Sequence, residues 1–257
     1  MTNYWLIDRP IAHRGYHKKE DNIPENSLLA FQRAIDNNLN IELDVQITTD
    51  NKVVVFHDQT AKRMAGVDKK IINMSYEEVK NLKLDGLDVH PPLLEEVLEL
   101  VNGQVGIVVE LKSLFLSPTF RLERHVKKIL KTYNGPYCIK SFNPFTEIWF
   151  FNHFHKVTRG ILVGVKIEWL NKMMKFCFPF CNYCSFNVDM LPNDMVEKGF
   201  RQKKKPLISW TVDSIEDVEK VKQYADNIVF ENLGIDVVEE YYNYNKTIIK
   251  DYPDFKV

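Results

Sequence analysis

The sequence predicts an α/β fold, a (β/α)8 TIM barrel formed by a single domain over residues 1–257. Short runs of β-branched residues alternate with amphipathic helical patterns along almost the whole chain, which is typical of βα units around a parallel sheet. Eight such units can be counted, and 257 residues are close to the roughly 250 of such a barrel. Hydrophobic residues make up 45% and charged residues 27%, which favours a packed domain over a disordered chain.

The eight units follow one another in regular order. The predicted strands are Ile11–Gly15, Ile41–Gln46, Gly106–Lys112, Tyr137–Phe142, Arg159–Gly164, Tyr183–Val188, Pro206–Val212 and Asn227–Glu231. The predicted helices are Ser27–Asn37, Leu93–Val101, Pro118–Tyr133, Pro144–His153, Glu168–Phe176, Asn193–Gln202, Ile215–Tyr224 and Ile235–Tyr242. Because a helix separates consecutive strands, we expect parallel strands with the helices outside them.

An additional strand-like run, Val53–His57, interrupts this alternation. Only residues 50–51 separate it from the second strand, a connection too short for a parallel crossover, so we expect an antiparallel hairpin. With this two-residue loop, the register places Asp44 opposite His57. The next segment, residues 58–92, is predicted to be a small insertion before the third barrel strand. It could form a cap over the end of the barrel where catalysis takes place.

The charge balance limits the partners of the protein. Lysine and arginine total 34 against 35 acidic residues, a formal net charge of −1. No global field therefore draws the chain to nucleic acid or to an anionic membrane, although a weak contact with a membrane surface stays open. The chain has no apolar run of the ~20 residues that span a bilayer and no N-terminal signal-peptide pattern. We therefore expect a cytoplasmic protein.

Three of the four cysteines are crowded together, which does not indicate a dispersed disulfide framework. The spacing Cys177-x3-Cys181-x2-Cys184 is the one that radical S-adenosylmethionine enzymes use to bind an iron–sulfur cluster. In those enzymes it normally follows the first strand, whereas here it lies between the fifth and sixth units. Free, buried thiols are the favoured interpretation.

Acidic residues lie at the ends of two predicted strands, which is where barrel enzymes assemble their sites. Alternation along a strand places Glu42 and Asp44 on one face, and Glu110 lies on the next barrel strand. Three carboxylates so close together would oppose one another's ionisation unless a cation lies between them. Oxygen ligands suit one hard divalent ion, Mg²⁺ or Ca²⁺.

Basic residues accompany these carboxylates. Arg14 lies at the end of the first predicted strand, and Lys112 shares the face of Glu110. A forked guanidinium and a compact ammonium are what a phosphate group needs. His13 and His57 titrate near neutral pH and could exchange the protons of phosphoester cleavage. Each residue alone has a plainer structural explanation, and it is their convergence at neighbouring strand ends that predicts a site.

The ordered motifs resemble a known family. They are Ile11-Ala12-His13-Arg14-Gly15, Pro24-Glu25-Asn26-Ser27, Glu42-Leu43-Asp44-Val45, Val55-Phe56-His57-Asp58, Pro92-Leu93-Leu94-Glu95-Glu96-Val97, Glu110-Leu111-Lys112, Ser141-Phe142 and Trp210-Thr211-Val212. This combination covers most of the chain and looks like the signature of the glycerophosphodiester phosphodiesterase family. The resemblance implies a barrel that hydrolyses glycerophosphodiesters, as small-molecule substrates, to sn-glycerol 3-phosphate and an alcohol with one divalent cation.

The same resemblance implies a role for each matching residue. Glu42, Asp44 and Glu110 would bind the metal, His13 and His57 would act as acid and base, Arg14 and Lys112 would hold the phosphate, Glu25 would support the metal or His13, and Phe142 and Trp210 would line the substrate pocket. One departure concerns the last strand, which ends in Phe230-Glu231-Asn232 where the family usually has Thr-Asp. This replacement could alter a polar contact with the substrate.

Two alternative functions stay open from the sequence. Apolar residues at 114–116 and at 169–176 could form a lip for acyl chains, which would suit lysophospholipase D-type cleavage of lysophospholipids, although helix packing explains them as well. A catalytically silent barrel that only binds glycerophosphodiesters is the other alternative. The presence of both histidines and all three carboxylates argues against a silent barrel.

Overall fold

The computed structural model describes residues 5–113, 119–164 and 174–249 of the chain. Its strands are β1 (Ile11–Ala12), β2 (Asn40–Ile47), β3 (Val53–Val55), β4 (Ile107–Leu111), β5 (Tyr137–Ser141), β6 (Thr158–Val163), β7 (Tyr183–Asn187), β8 (Leu207–Val212) and β9 (Asn227–Phe230). Its α-helices are α1 (Trp5–Asp8), α2 (Leu28–Asp36), α3 (Lys62–Ala65), α4 (Tyr76–Lys80), α5 (Leu94–Val101), α6 (Arg121–Leu130), α7 (Pro144–His153), α8 (Asp194–Gly199), α9 (Ile215–Val221) and α10 (Ile235–Ile249).

Eight of the strands close into a parallel barrel. The order around the barrel is β1-β2-β4-β5-β6-β7-β8-β9, and β9 pairs with β1 to complete the ring. At the closure, Ile11 pairs with Asn40 on one side and with Val229 on the other. The predicted barrel is confirmed. Because all eight strands point the same way, their carboxyl ends form one rim, where the side chains of a site can meet.

The hairpin after β2 forms, but its predicted register is wrong by one residue. Val45 pairs with Val55, so Asp44 lies opposite Phe56, whose backbone N–H donates to the Asp44 carbonyl at 2.9 Å. His57 is therefore not the cross-strand partner of Asp44. It follows the end of β3 and belongs to the loop that leaves the strand.

The turn of this hairpin explains the shift. Thr48 and Lys52 are hydrogen bonded through their backbones, which leaves three residues in the loop instead of two. Asn51, the last of them, has a left-handed φ of 65°. A left-handed residue at the end of a three-residue loop is a common hairpin geometry, and asparagine tolerates that conformation better than most residues.

The first strand is shorter than predicted. It ends at Ala12 because Arg14 and Gly15 have positive φ angles of 54° and 80° and turn the chain toward α2. A β-carbon on Gly15 would lie 2.8 Å from the β-carbon of Ala30, so only glycine permits this close turn. The turn places residues 13 and 14 at the rim instead of within the sheet.

Several predicted helix limits also change. Helix α8 is shorter than Asn193–Gln202 and is followed by a 3-10 helix at Arg201–Lys203, whereas α10 runs beyond Tyr242. Most of the predicted helix Glu168–Phe176 lies outside the described residues, and its end belongs to a 3-10 helix at Lys175–Phe180. Among the helices of the described ranges, none has both the length and the apolar character needed to cross a membrane.

Helix α1, which the sequence analysis missed, closes the amino-terminal end of the barrel. Leu6 is buried in a cluster with Ile11 and Val108. Trp5 covers Gly106 so closely that a β-carbon there would lie 1.9 Å from the indole ring. The closed lower end leaves the opposite rim as the place for a ligand.

The segment between residues 58 and 92 forms a small apolar core together with two side chains from β3 and the residues just after it. The buried side chains of this core are Val54, Phe56, Ala61, Met64, Ile71, Met74, Val79, Leu82 and Leu84. Backbone hydrogen bonds attach the segment to the hairpin, for example from Thr49 N–H to the Met74 carbonyl at 2.8 Å. The segment therefore packs beside the carboxyl end of β2, and α3 carries a side chain into the site described below.

The four cysteines are free and buried. Burial raises the pKa of the Cys177 thiol to about 11 and that of Cys138 to about 12. The Cys181 thiol donates to the Cys177 carbonyl at 3.2 Å. These thiols are therefore protonated at neutral pH, which makes them weak nucleophiles.

Candidate active site

Three carboxylates converge at the carboxyl end of the barrel. Asp44 of β2 pairs directly with Glu110 of β4, and Glu42 lies two residues before Asp44 on the same face. One oxygen of each carboxylate lies within 4.8 Å of an oxygen of each other carboxylate, and all three side chains are buried. Buried oxygen atoms at this spacing fit a hard divalent cation. The structure thus brings together the three residues that the sequence predicts as metal ligands.

Lys112 lies against two of these carboxylates. Its Nζ is 2.9 Å from Asp44 Oδ1 and also contacts the Glu110 carboxylate. Burial alone would raise the pKa of Asp44, but the positive charges of Lys112 and Arg14 hold it well below its usual range. Burial would likewise lower the pKa of Lys112, and its two acidic neighbours raise it instead. Both groups are therefore charged at neutral pH.

Lys140 lies on the other side of the same carboxylates. It extends from β5, directly beside Glu110 in the parallel register, and its side chain is only 2% exposed. Its Nζ is 2.9 Å from Glu42 Oε1 and 3.5 Å from Glu110 Oε2. Burial would lower the pKa of Lys140, but these two carboxylates raise it. A permanent positive charge therefore lies beneath the carboxylate cluster.

The turn after β1 places Arg14 over the carboxylates. Its backbone N–H donates to Glu42 at 3.1 Å, and its guanidinium donates to Glu25 at 2.8 Å and lies 3.6 Å from Asp44. Burial would lower the pKa of Arg14, but the negative charges of Asp44, Glu25 and Glu42 raise it. The amide of Asn26 also donates to Asp44 at 2.9 Å. The loop between β1 and α2 thus contacts Glu42 and Asp44 through hydrogen bonds and an ion pair.

His13 is held by the end of the last strand. Its backbone N–H donates to the Phe230 carbonyl at 2.9 Å, and its ring Nδ1 lies 2.7 Å from Glu231. His17 lies 3.7 Å from the same carboxylate. Hydrogen bonding to His13 and then to His17 lowers the pKa of Glu231 strongly, so Glu231 is ionised. The residue that departs from the family pattern is therefore a direct partner of His13.

His57 begins a chain of polar contacts along the rim. Its Nδ1 lies 2.7 Å from Asp58, and Asp58 accepts a 2.6 Å hydrogen bond from Arg63 of α3. Arg63 also donates twice to Glu25, at 2.9 and 2.7 Å, and Glu25 accepts from Arg14. Burial would raise the pKa of Glu25 and Asp58, but the hydrogen bonds from Arg63 are the largest of the contributions that lower both. The two predicted histidines therefore have different partners: His13 is held by Glu231, and His57 is held by Asp58.

The two predicted pocket aromatics meet at the rim. Phe142 follows β5, Trp210 lies in β8, and their rings pack edge to face with centroids 5.6 Å apart. Both side chains are half-buried. The Trp210 indole nitrogen is buried and has no hydrogen-bond partner among the described residues. This pair forms an apolar wall of the rim.

A cavity of about 250 Å³ opens beside Lys112. Its lining combines polar and apolar side chains from β2, the inserted segment, the connection after β4 and α6, namely Gln46, Ile47, Gln59, Lys70, Ile72, Lys112, Ser113, Thr119, Arg121, Leu122 and Glu123. Because Lys112 belongs to both the cavity and the carboxylate cluster, the cavity extends the site sideways between the barrel and the inserted segment.

Sequence reasoning missed several residues of this site. Lys140 had a visible signal, since a lysine in a buried strand beside an acidic strand needs a carboxylate partner. Glu231 was noticed as a departure but not as a partner of His13. Arg63 and Asn26 carried no periodic or spacing signal, because loops and short helices bring them to the site.

Carboxylates that can hold a hard cation, together with cations that can bind a phosphate, are typical of enzymes that act on phosphate esters. The chain belongs to the glycerophosphoryl diester phosphodiesterase family, whose model matches residues 13–238. By family and by its relatives it is a glycerophosphodiester phosphodiesterase.

Two relatives illustrate the range of this family. The chain is 31% identical to a glycerophosphodiester phosphodiesterase of Caldanaerobacter subterraneus subsp. tengcongensis, over 85% of this chain and 92% of that protein. It is also 36% identical to the rat (Rattus norvegicus) lysophospholipase D GDPD1, over 37% of this chain and 33% of that protein.

Solved structures share the fold. A phosphodiesterase of Oleispira antarctica, in complex with the product sn-glycerol-3-phosphate, superposes with a TM-score of 0.79 at 20% identity, over 95% of this chain and all of that chain. A glycerophosphodiester phosphodiesterase from Galdieria sulphuraria, described as putative, superposes with a TM-score of 0.76 at 19% identity, over 91% of this chain and 97% of that chain. At these identities the likeness concerns the fold alone.

Proposed function

We propose that the protein hydrolyses glycerophosphodiesters to sn-glycerol 3-phosphate and an alcohol, with one divalent cation, Mg²⁺ or Ca²⁺. The observation that carries this proposal is the convergence of Glu42, Asp44 and Glu110 beneath the cations Arg14 and Lys112. The product bound to the Oleispira antarctica relative supports the same substrate class. The whole chain would work as one domain, with residues 58–92 as an insertion.

Each charged residue of the centre has a part in binding. Glu42, Asp44 and Glu110 would hold the cation, which when bound would neutralise charge that develops on the phosphate oxygens. Arg14 and Lys112 stand closer to solvent than the carboxylates and would bind the non-bridging phosphate oxygens. The phosphate would thus lie between the cation and two fixed positive charges.

The histidines would carry the protons, His13 on one side of the site and His57 on the other. Each has its Nδ1 beside an ionised carboxylate, Glu231 or Asp58, so the hydrogen of a neutral ring is held on Nδ1. This tautomer leaves Nε2 as the atom that exchanges protons with the substrate. The carboxylates act as positioning residues, and the histidines would be the catalytic residues.

The reaction would take two steps through a cyclic phosphate, a route that the resemblance to the family implies. One histidine takes the proton of the neighbouring glycerol hydroxyl as its oxygen attacks phosphorus, and the other protonates the leaving alkoxide as its bond to phosphorus breaks. A cyclic phosphate results. In the second step water adds to phosphorus, and the bond to the hydroxyl oxygen breaks with the histidine roles reversed. The intramolecular nucleophile gains from proximity.

Three further residues would shape the substrate site. Glu25 accepts from both Arg14 and Arg63, so it would hold the phosphate-binding guanidinium in place. Phe142 and Trp210 would line the pocket for the glycerol or the leaving group, and their edge-to-face packing keeps that wall apolar.

A release assay tests this function. Glycerophosphocholine, glycerophosphoethanolamine and lysophosphatidylcholine are each incubated with the protein in Mg²⁺, in Ca²⁺ or in chelator, and both products are measured. We expect sn-glycerol 3-phosphate and free alcohol from the first two substrates only when an ion is present. Tight binding of these diesters without any turnover would instead support a silent binding barrel.

Lysophospholipase D-type cleavage is the second candidate. The cavity beside Lys112 favours it, because Ile47, Ile72 and Leu122 give that cavity an apolar wall near the phosphate-binding side chains. A relative named lysophospholipase D matches part of the chain. In the same assay, faster release of choline from lysophosphatidylcholine than from glycerophosphocholine would make the lysophospholipid the preferred substrate.

A further inference from the structure

Lys140 differs from the other cations of the site in its burial. The side chains of Lys112 and Arg14 are 19% and 15% exposed, whereas that of Lys140 is 2% exposed. Lys112 and Arg14 can therefore reach a phosphate at the rim. Lys140 lies between Glu42 and Glu110 and has no solvent on any side to turn toward.

This placement changes the charge of the ligand set. Glu42, Asp44 and Glu110 together carry three negative charges, and Lys140 removes one of them from within the buried cluster. Two negative charges remain, which a single divalent cation would neutralise. Arg14 and Lys112 are then left to bind a phosphodiester. Charge balance of this kind matters because buried charges are costly unless they are paired.

We propose that Lys140 is a built-in counter-cation that matches the carboxylate cluster to a divalent ion and stabilises the cluster when no ion is bound. This role rests on the metal site of the proposed function. Without Lys140, Glu42 would lose the ammonium that lies 2.9 Å from it, and only Lys112 and Arg14 would offset the repulsion among the three buried carboxylates in the ion-free protein. An added cation would then be bound more tightly, and a trivalent cation would gain more than a divalent one.

The test uses Lys140→Met, which keeps the length of the side chain and removes its charge. Thermal unfolding is followed in chelator and in saturating Ca²⁺, and calorimetry measures the Kd of Ca²⁺ and of La³⁺. In chelator the variant should unfold roughly 10 °C below wild type, and Ca²⁺ should recover most of that loss. The Kd for Ca²⁺ should fall about tenfold or more, and the Kd for La³⁺ should fall further.

Lys205→Met is the matched control. Lys205 is half-buried and donates to the carbonyls of Phe178 and Cys181, away from the carboxylates. Its loss should lower the unfolding temperature equally with and without Ca²⁺ and leave both Kd values unchanged. The same behaviour in Lys140→Met would overturn the proposal.

Two other outcomes are also decisive. If Lys140→Met and Lys140→Gln both fail to fold even in saturating Ca²⁺, then no ion can replace the lysine and the proposal is wrong. If wild type and Lys140→Met both bind neither ion, the metal site itself is absent. That result would overturn the metal dependence in the proposed function as well, whereas unchanged ion binding by the variant would overturn only the role of Lys140.

Discussion

The floor and the rim of the site are built in different ways. The floor consists of Glu42, Asp44, Glu110 and Lys140. The part of the rim compared with it is the polar chain beside α3, which consists of His57, Asp58, Arg63 and Glu25. Backbone pairing of β2, β4 and β5 sets the spacing of the floor, and its side chains are at most 6% exposed. The rim depends on contacts between side chains of loops and of α3, and the Arg63 side chain is 48% exposed.

This difference predicts how each region responds to substitution. A floor residue cannot move without moving a strand, so a change of its charge leaves its neighbours buried and unpaired. A rim residue can exchange a lost contact for water, and exposed ion pairs contribute about 0–1 kcal/mol. Floor variants that lose a carboxylate should therefore lose nearly all turnover, whereas rim variants should show graded effects.

The largest effect is expected from Glu42→Gln in the floor. It keeps the size of the side chain and removes one anionic ligand, so transition-state stabilisation by the cation should be lost, on the order of 10⁴-fold or more in kcat/KM. Turnover of glycerophosphocholine and calorimetric ion binding measure it, with circular dichroism as the control for folding. A folded variant that binds and uses divalent ions as wild type does would show that Glu42 is not a ligand.

The histidines come next. His13→Ala and His57→Ala should each lower kcat by roughly 10²- to 10⁴-fold on a substrate with an alkyl alcohol leaving group. A substrate with p-nitrophenol as leaving group needs little protonation of that group, so the variant that lacks the general acid should lose much less with it. Near-normal turnover of the alkyl substrate by either variant would exclude that histidine from proton transfer.

Glu231→Gln is expected to have an intermediate effect, because it leaves both catalytic histidines in place and removes the anionic partner that His13 shares with His17. A neutral amide orients the ring less firmly, and we expect kcat to fall by about 10- to 100-fold while KM changes little. Steady-state kinetics of wild type, Glu231→Gln and Glu231→Asp measure kcat and KM for this comparison. Partial rescue by aspartate supports a positioning role, and equal losses in both variants would contradict it.

The smallest effect is expected from Arg63→Met at the rim. Arg63 keeps the pKa of Glu25 and Asp58 low in the folded protein. These carboxylates therefore stabilise the fold at pH values above their unfolded pKa of about 4. The stabilisation is lost as the pH falls through their lower folded pKa. The variant should unfold a few degrees below wild type at pH 7. In thermal scans the difference in unfolding temperature between variant and wild type should disappear below about pH 4. A difference that stays constant down to pH 2 would show that the loss does not come from the ionised Glu25 and Asp58.

The comparison also explains what the sequence could predict. Alternation and strand order alone place three floor residues, Glu42, Asp44 and Glu110, close together at neighbouring strand ends. The same logic could have included Lys140, one strand further along. The register of Asp44 against His57 failed because it depended on loop length, and a left-handed Asn51 adds one residue to the turn. Local turn geometry of this kind leaves no periodic signal.

The rim could not be predicted in the same way. Arg63 reaches Glu25 across 38 positions of sequence, from a four-residue helix inside the inserted segment. Neither periodicity nor spacing connects two such residues. Helix α1 was missed for a related reason, because four residues are too few to show an amphipathic pattern. Short elements are positioned by what they pack against.

The closure of the barrel has a consequence for when the protein becomes active. His13 and Glu231 are 218 positions apart and come together only where the first strand meets the last. Contacts of such long sequence separation are made at a high entropic cost and favour slow folding. During synthesis, His13 leaves the ribosome 218 positions ahead of Glu231, and its imidazole is oriented only after the last strand has been made. Activity would therefore require a closed barrel, and a chain synthesised only as far as β8 would lack it.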